Sequence, residues 1–95
     1  SGNLSLITTG TGNVIIYTDE GDYGEIYVFV DGEYSGYLDQ YFESGEPAYY
    51  GEDATISFSV KGGYHKIEAI GKNGGFWSNS MPIYGNTNNM LKLSK

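Results

Sequence analysis

The sequence predicts an all-β chain: a small antiparallel β-sandwich of seven to eight strands, with residues 1–95 forming a single domain. Three observations carry that expectation. Short apolar runs, alternating or continuous, recur at spacings of roughly 8–12 residues. Glycine-bearing pairs punctuate them: Asp31-Gly32, Gly62-Gly63 and Asn73-Gly74. No helical periodicity of 3.6 residues survives for three turns anywhere in the chain. With 95 residues, there is room for one modest core and not for two.

Taken in order, Asn3–Thr9 reads as a short strand, with Leu4 and Leu6 on one side and Ser5 and Ile7 on the other. Gly10-Thr11-Gly12 should break it as a turn. Asn13–Thr18 holds Val14, Ile15, Ile16 and Tyr17 in succession, the pattern of a strand covered on both faces. A turn over 19–22 leads to Glu25–Val30, where Ile26, Val28 and Val30 face one way and Tyr27 and Phe29 the other. Asp31-Gly32 suits a type I′ hairpin, since both central residues need positive φ. Its return strand is Glu33–Leu38.

Residues 39–53 then form a long irregular loop with Gly45, Pro47 and Gly51 and five carboxylates. Loops of this length are usually functional or mobile. Ala54–Val60 alternates, with Ala54, Ile56, Phe58 and Val60 inward. Gly62-Gly63 should close a hairpin, so that Tyr64–Ile70 pairs back with His65, Ile67 and Ala69 on one face. Asn73-Gly74 marks the next hairpin, leading to Phe76–Tyr84. An Asn-rich connector and a short last strand, Met90–Leu93, complete the chain.

The charge excludes several functions. The net charge is −7, with five lysines and no arginine. A nucleic-acid binder needs a basic stripe to displace counterions, and an anionic membrane surface would repel this chain. No apolar run approaches the ~20 residues that span a bilayer. Neither nucleic acid nor membrane insertion by this segment is therefore expected. All eleven acids other than Glu68 precede residue 54, and all five lysines follow it. Interleaved strands from the two halves would bring those charges together. The absence of cysteine excludes disulfides, thiolate metal sites and a cysteine nucleophile.

Two fragments carry a family likeness: Val28-Phe29-Val30-Asp31-Gly32-Glu33-Tyr34-Ser35-Gly36, and Val60-Lys61-Gly62-Gly63-Tyr64-His65-Lys66-Ile67-Glu68-Ala69. Together they resemble the PEGA-type surface-layer module: a strand ending in Val-Asp-Gly, a glycine soon after, and later a Gly-x-His-x-Ile strand. Tyr37-Leu38 stands where the family places Thr-Pro. The resemblance implies a small PEGA-like or immunoglobulin-like sandwich of bacterial envelope proteins, used for display or interaction rather than catalysis. It also implies a structural role for His65. The same likeness implies an extracytoplasmic location (periplasm, outer-membrane surface or secreted, as in a lipoprotein), and the Tyr-, Gly-, Asn- and Ser-rich composition resembles that of such proteins.

The chemistry-bearing residues point the same way. His65 is the only histidine, and its parity with Ile67 and Ala69 turns it toward the core, away from a general base's position. The pairs Asp19/Asp22, Glu43/Glu46 and Glu52/Asp53 read as solvated loop acids, because a domain this small has little room for a glycosidase cleft. A structural Ca²⁺ would draw on Asp19 and Asp22, although the run lacks the regular Asp-x-Asp-x-Asp-Gly order. No catalytic residue and no cofactor are expected.

Aromatics are the better binding candidates: Tyr41, Phe42, Tyr49 and Tyr50 in the long loop, Phe76 and Trp77 just past the Asn73-Gly74-Gly75 turn, and Tyr34 and Tyr37 on the hairpin. Such rings serve protein interfaces and sugar faces alike. The expected function is a non-enzymatic structural or protein-interaction module of a bacterial secreted or surface protein that displays the 39–53 loop. The alternative is a carbohydrate-binding module that takes a cell-surface glycan on Tyr41, Tyr49, Tyr50 and Trp77. Asn3-Leu4-Ser5 matches a glycan-acceptor pattern but carries no expectation.

Overall fold

The computed structural model describes residues 10–94. The expected strand Asn3–Thr9 and the Asn3-Leu4-Ser5 motif lie outside them. Seven strands form: β1 (Thr11–Thr18), β2 (Ile26–Val30), β3 (Glu33–Leu38), β4 (Ile56–Lys61), β5 (Gly63–Gly71), β6 (Phe76–Ile83) and β7 (Asn88–Leu93). They build a small β-sandwich of two sheets, one ordered β4-β1-β7 and the other β3-β2-β5-β6. Every pairing is antiparallel except β1 with β7, which run parallel.

Strand alternation builds the core. Val14 and Ile16, with Ile56 and Leu93, face inward from the first sheet. They meet Ile26, Val28, Leu38, Ile67, Ala69 and Ile83 from the second. Each such aliphatic side chain stabilises the fold by roughly 1.5–3 kcal/mol relative to exposure. Ile15 and Tyr17 have the opposite parity yet are also buried. The continuous apolar run of β1 thus marks a central strand covered on both faces, as its composition predicts.

Four sequence expectations are corrected. Thr11 and Gly12 belong to β1 rather than to a turn. Gly12 is there because a Cβ would overlap the Tyr84 carbonyl oxygen, so only glycine lets that backbone approach. Ala54 is not an inward strand residue. Its φ of 69° puts it in a turn, closed where Thr55 Oγ1 donates to the Glu52 carbonyl at 2.6 Å, and β4 begins at Ile56.

Gly62-Gly63 does not make a hairpin. β4 pairs with β1, whereas β5 pairs with β2 and β6, so the chain crosses between sheets at this point. Gly62 N–H donates to the Gly10 carbonyl at 2.9 Å, and Gly63 turns at φ 132°. The physical reason lies in β1: as the central strand of its sheet it must have the backbone groups of both edges paired, and β4 supplies one edge and β7 the other. The last strand is also longer than expected, running from Asn88.

Candidate functional site

The outer face of the four-stranded sheet carries the molecule's main exposed aromatic surface. Register places Tyr37 opposite Tyr27, Tyr27 opposite Ile70, and Ile70 opposite Phe76. These four residues form one row across all four strands, about 14 Å long at the usual strand spacing. Tyr37, Ile70 and Phe76 are 49%, 46% and 66% exposed, whereas a sheet face without a partner is ordinarily polar. A second row, about 7 Å along the strands, is Tyr34, Phe29, Glu68 and Ser78.

A β-bulge makes this possible. Tyr34 and Tyr37 are three residues apart and would face opposite sides of a regular strand. Val28 pairs with Gly36 and Phe29 with Tyr34, so Ser35 is the extra residue, and Gly36 adopts φ 137°. The phase resets, both tyrosines point outward, and Leu38 still reaches the core.

The rings pack as tilted neighbours. Tyr27 and Tyr37 lie 6.1 Å apart at 40°, and Phe29 and Tyr34 lie 5.6 Å apart at 62°. Tyr27 donates its hydroxyl proton to Glu25 Oε1 at 2.6 Å. That hydrogen bond raises the tyrosine's pKa and orients the carboxylate onto the face. Glu68 stands in the second row, with Lys66 Nζ 3.6 Å from it.

The other aromatics singled out from the sequence, in the long loop and at Trp77, are dispersed instead. Phe42 packs edge-on against Tyr17 at 5.4 Å, and its N–H donates to the Thr18 carbonyl at 2.9 Å. Tyr41 lies against Gly21, where a Cβ would meet its ring at 2.6 Å, beside a cleft of roughly 110 Å³. That volume is well under the ~300 Å³ at which ligand pockets begin. Tyr49 and Tyr50 are exposed on the loop. Trp77 turns away from solvent: Tyr23 meets it edge-on at 4.7 Å, and its Nε1–H donates to the Ser94 carbonyl at 3.0 Å. It borders a groove of roughly 360 Å³ between β6 and β7, floored by Ile67 and Leu93. No ring contact among the described residues joins Trp77 to Tyr41, Tyr49 or Tyr50.

The 39–53 loop is fastened, not free. Besides the Phe42 contacts, Pro47 is buried, Ala48 N–H donates to Glu52 Oε1 at 2.6 Å, and Gly51 N–H donates to Ser57 Oγ at 3.0 Å.

Comparison with protein-family models, with curated proteins and with solved structures finds no match. Asp19 accepts from Ser94 Oγ at 3.3 Å and lies 3.8 Å from Lys92 Nζ. Among the described residues, no three His, Cys, Asp or Glu side chains converge as metal ligands. No helix among them is long and apolar enough to cross a membrane.

His65 closes a clasp between the sheets. Asp31, at φ 51° in the type I′ turn, receives Lys66 N–H on Oδ1 at 2.9 Å. His65 Nδ1 donates to Asp31 Oδ2 at 2.6 Å, and Nε2 donates to the Lys61 carbonyl, also at 2.6 Å. Both ring nitrogens face acceptors, so the imidazolium fits the site and neither nitrogen keeps a lone pair for base catalysis. Burial opposes that charge, but the Asp31 hydrogen bond, the Lys61 carbonyl and the Asp31 charge outweigh it, and the His65 pKa is raised. The His65 hydrogen bond, followed by that from Lys66 N–H, lowers the Asp31 pKa.

A pH dependence follows. The histidine's contribution is fully present below its ordinary value of about 6.5 and is lost as pH rises through the raised folded value. The aspartate's is present above about 3.9 and is lost as pH falls through the lowered one. Thermal melts should therefore show a plateau between about pH 4 and pH 6.5, with Tm falling on the alkaline side. His65→Ala should remove the alkaline fall. A variant that kept it would show that the clasp does not carry it.

Proposed function

We propose that this chain is a non-enzymatic interaction module, an immunoglobulin-like or PEGA-like sandwich of an extracytoplasmic bacterial surface protein or lipoprotein. It binds a protein partner through the outer face of its four-stranded sheet. The observation that carries this reading is the Tyr37–Tyr27–Ile70–Phe76 row, an apolar stripe that is left open among the described residues, where Tyr and Phe are suited to anchor an interface. Two further features support it. The single histidine is committed on both nitrogens to a structural clasp. The long loop is anchored to the first sheet and to Ser57, which makes it a support as much as a display element.

Site-specific photo-crosslinking tests the proposal in the full-length protein on its own cells. A benzophenone side chain at position 37 or 76 should give a discrete protein adduct that the same probe at position 44 does not. Adducts from position 44 alone would transfer the contact to the loop. Turnover of any substrate that depended on His65 would overturn the non-enzymatic reading.

A further inference from the structure

Resting on that reading, we infer that the ringed sheet face docks an extended or flat protein segment bearing arginine or lysine beside apolar side chains. The face itself supplies the complementary chemistry. Glu25 is held in place by the Tyr27 hydroxyl, and Glu68 stands in the same row as Phe29 and Tyr34, with Lys66 Nζ 3.6 Å away as the basic group that an incoming arginine would displace. A guanidinium or ammonium group on this surface meets carboxylates and ring faces together, and both attract it. The apolar row Tyr37–Tyr27–Ile70–Phe76 runs alongside, about 7 Å away, and takes the partner's hydrophobic residues. The chain's charge of −7 and its lack of arginine put the basic half of the match on the other molecule.

The same observations weigh against the other two occupants. A second copy would press like-charged faces together. Four strands by some six residues offer on the order of 400 Å² per molecule, below the ~600 Å² per partner that a stable dimer needs but within the range of a transient contact with a short segment. A glycan stacks on open, near-parallel ring faces, but these rings tilt against one another at 40° and 62°.

The test is a backbone-amide NMR titration of the ¹⁵N-labelled protein with a hexapeptide of alternating arginine and leucine. Controls are the glutamate–leucine counterpart and a neutral hexasaccharide. Saturable shifts should map to Tyr27, Phe29, Glu68, Ile70 and Phe76, and should weaken as salt is raised. Phe76→Ser and Glu68→Gln should each weaken binding by about tenfold, the loss of one interface anchor. Both residues lie on the outer face, so retained spectral dispersion would confirm folding. Shifts confined to 39–53 would overturn the inference and leave an interaction module standing. Shifts of the same residues by the hexasaccharide, or sedimentation that depended on protein concentration through this face, would replace the basic partner by a glycan or a second copy. No response to any probe would overturn the inference, while adducts at positions 37 and 76 would still uphold the broader reading.

Discussion

Asn89→Asp is expected to destabilise the fold by about 3 kcal/mol at neutral pH, a fall in Tm of more than ~10 °C for a domain of this size. Asn89 is buried at the start of β7 and organises the β6–β7 connection. Its Oδ1 accepts Tyr84 N–H at 3.0 Å. Its Nδ2 group donates to the carbonyls of Asn13, Tyr84 and Thr87 at 3.0, 3.1 and 3.3 Å. Aspartate keeps the shape but sets a carboxylate against three carbonyl oxygens. Its pKa in the folded variant must rise, so the deficit is full above that raised value and shrinks as pH falls toward the unfolded value near 3.9. Asn89→Ala, which removes the hydrogen bonds without adding charge, should show a smaller loss and no such recovery. Urea unfolding of both variants at pH 4 and pH 7 separates the two effects. A neutral-pH stability equal to that of the parent would refute the role given to this amide.

Gly71→Ala is expected to cost a similar ~3 kcal/mol, the upper end of overpacking penalties. A Cβ there would overlap the Gly74 carbonyl oxygen and stand 3.0 Å from Tyr23 Cβ. Neither neighbour can yield cheaply. Gly71 N–H donates to the Gly75 carbonyl at 3.0 Å, and Asn73 N–H donates to that of Tyr23 at 2.8 Å, so the turn is pinned on both sides. Ile70 and Phe76 flank this turn, which makes it the element that holds half of the apolar row in place. Gly32→Ala is the control. Gly32 has φ 86° and nothing within 4 Å of its would-be Cβ, so only backbone strain of roughly 1–2 kcal/mol is incurred. Equal losses in the two variants, read by chemical denaturation, would show that the steric contact at Gly71 is not the cause.

Much of the architecture was legible in local chemistry. Asp31-Gly32 closes a hairpin with both residues at positive φ, and the hairpin expected at Asn73-Gly74 forms over residues 72–75, where the positive φ falls one place later, on Gly74 and Gly75. Alternation placed Ile26 and Val28 inside and Tyr27 and Phe29 outside. The unbroken run from Val14 to Tyr17 announced a strand covered on both faces. The candidate surface was only half visible. Tyr34 and Tyr37 share a face through an extra residue at Ser35, and a bulge has no strong signature in composition. Trp77, one of the side chains offered a binding role, is drawn instead to Tyr23 and the Ser94 carbonyl.

Short-range preferences therefore settled which segments extend, where they bend and which side chains point the same way, since each depends on a few neighbouring dihedral angles. Strand partnership was decided only by the assembled structure. The glycine pair at 62–63 bends the chain, but nothing within it states whether the next strand returns to the same sheet or crosses to the other. That choice was made by β1, whose two open edges had to be paired by segments 40 to 75 residues away. The aromatic row is a product of that choice, because it exists only once β3, β2, β5 and β6 lie side by side in register.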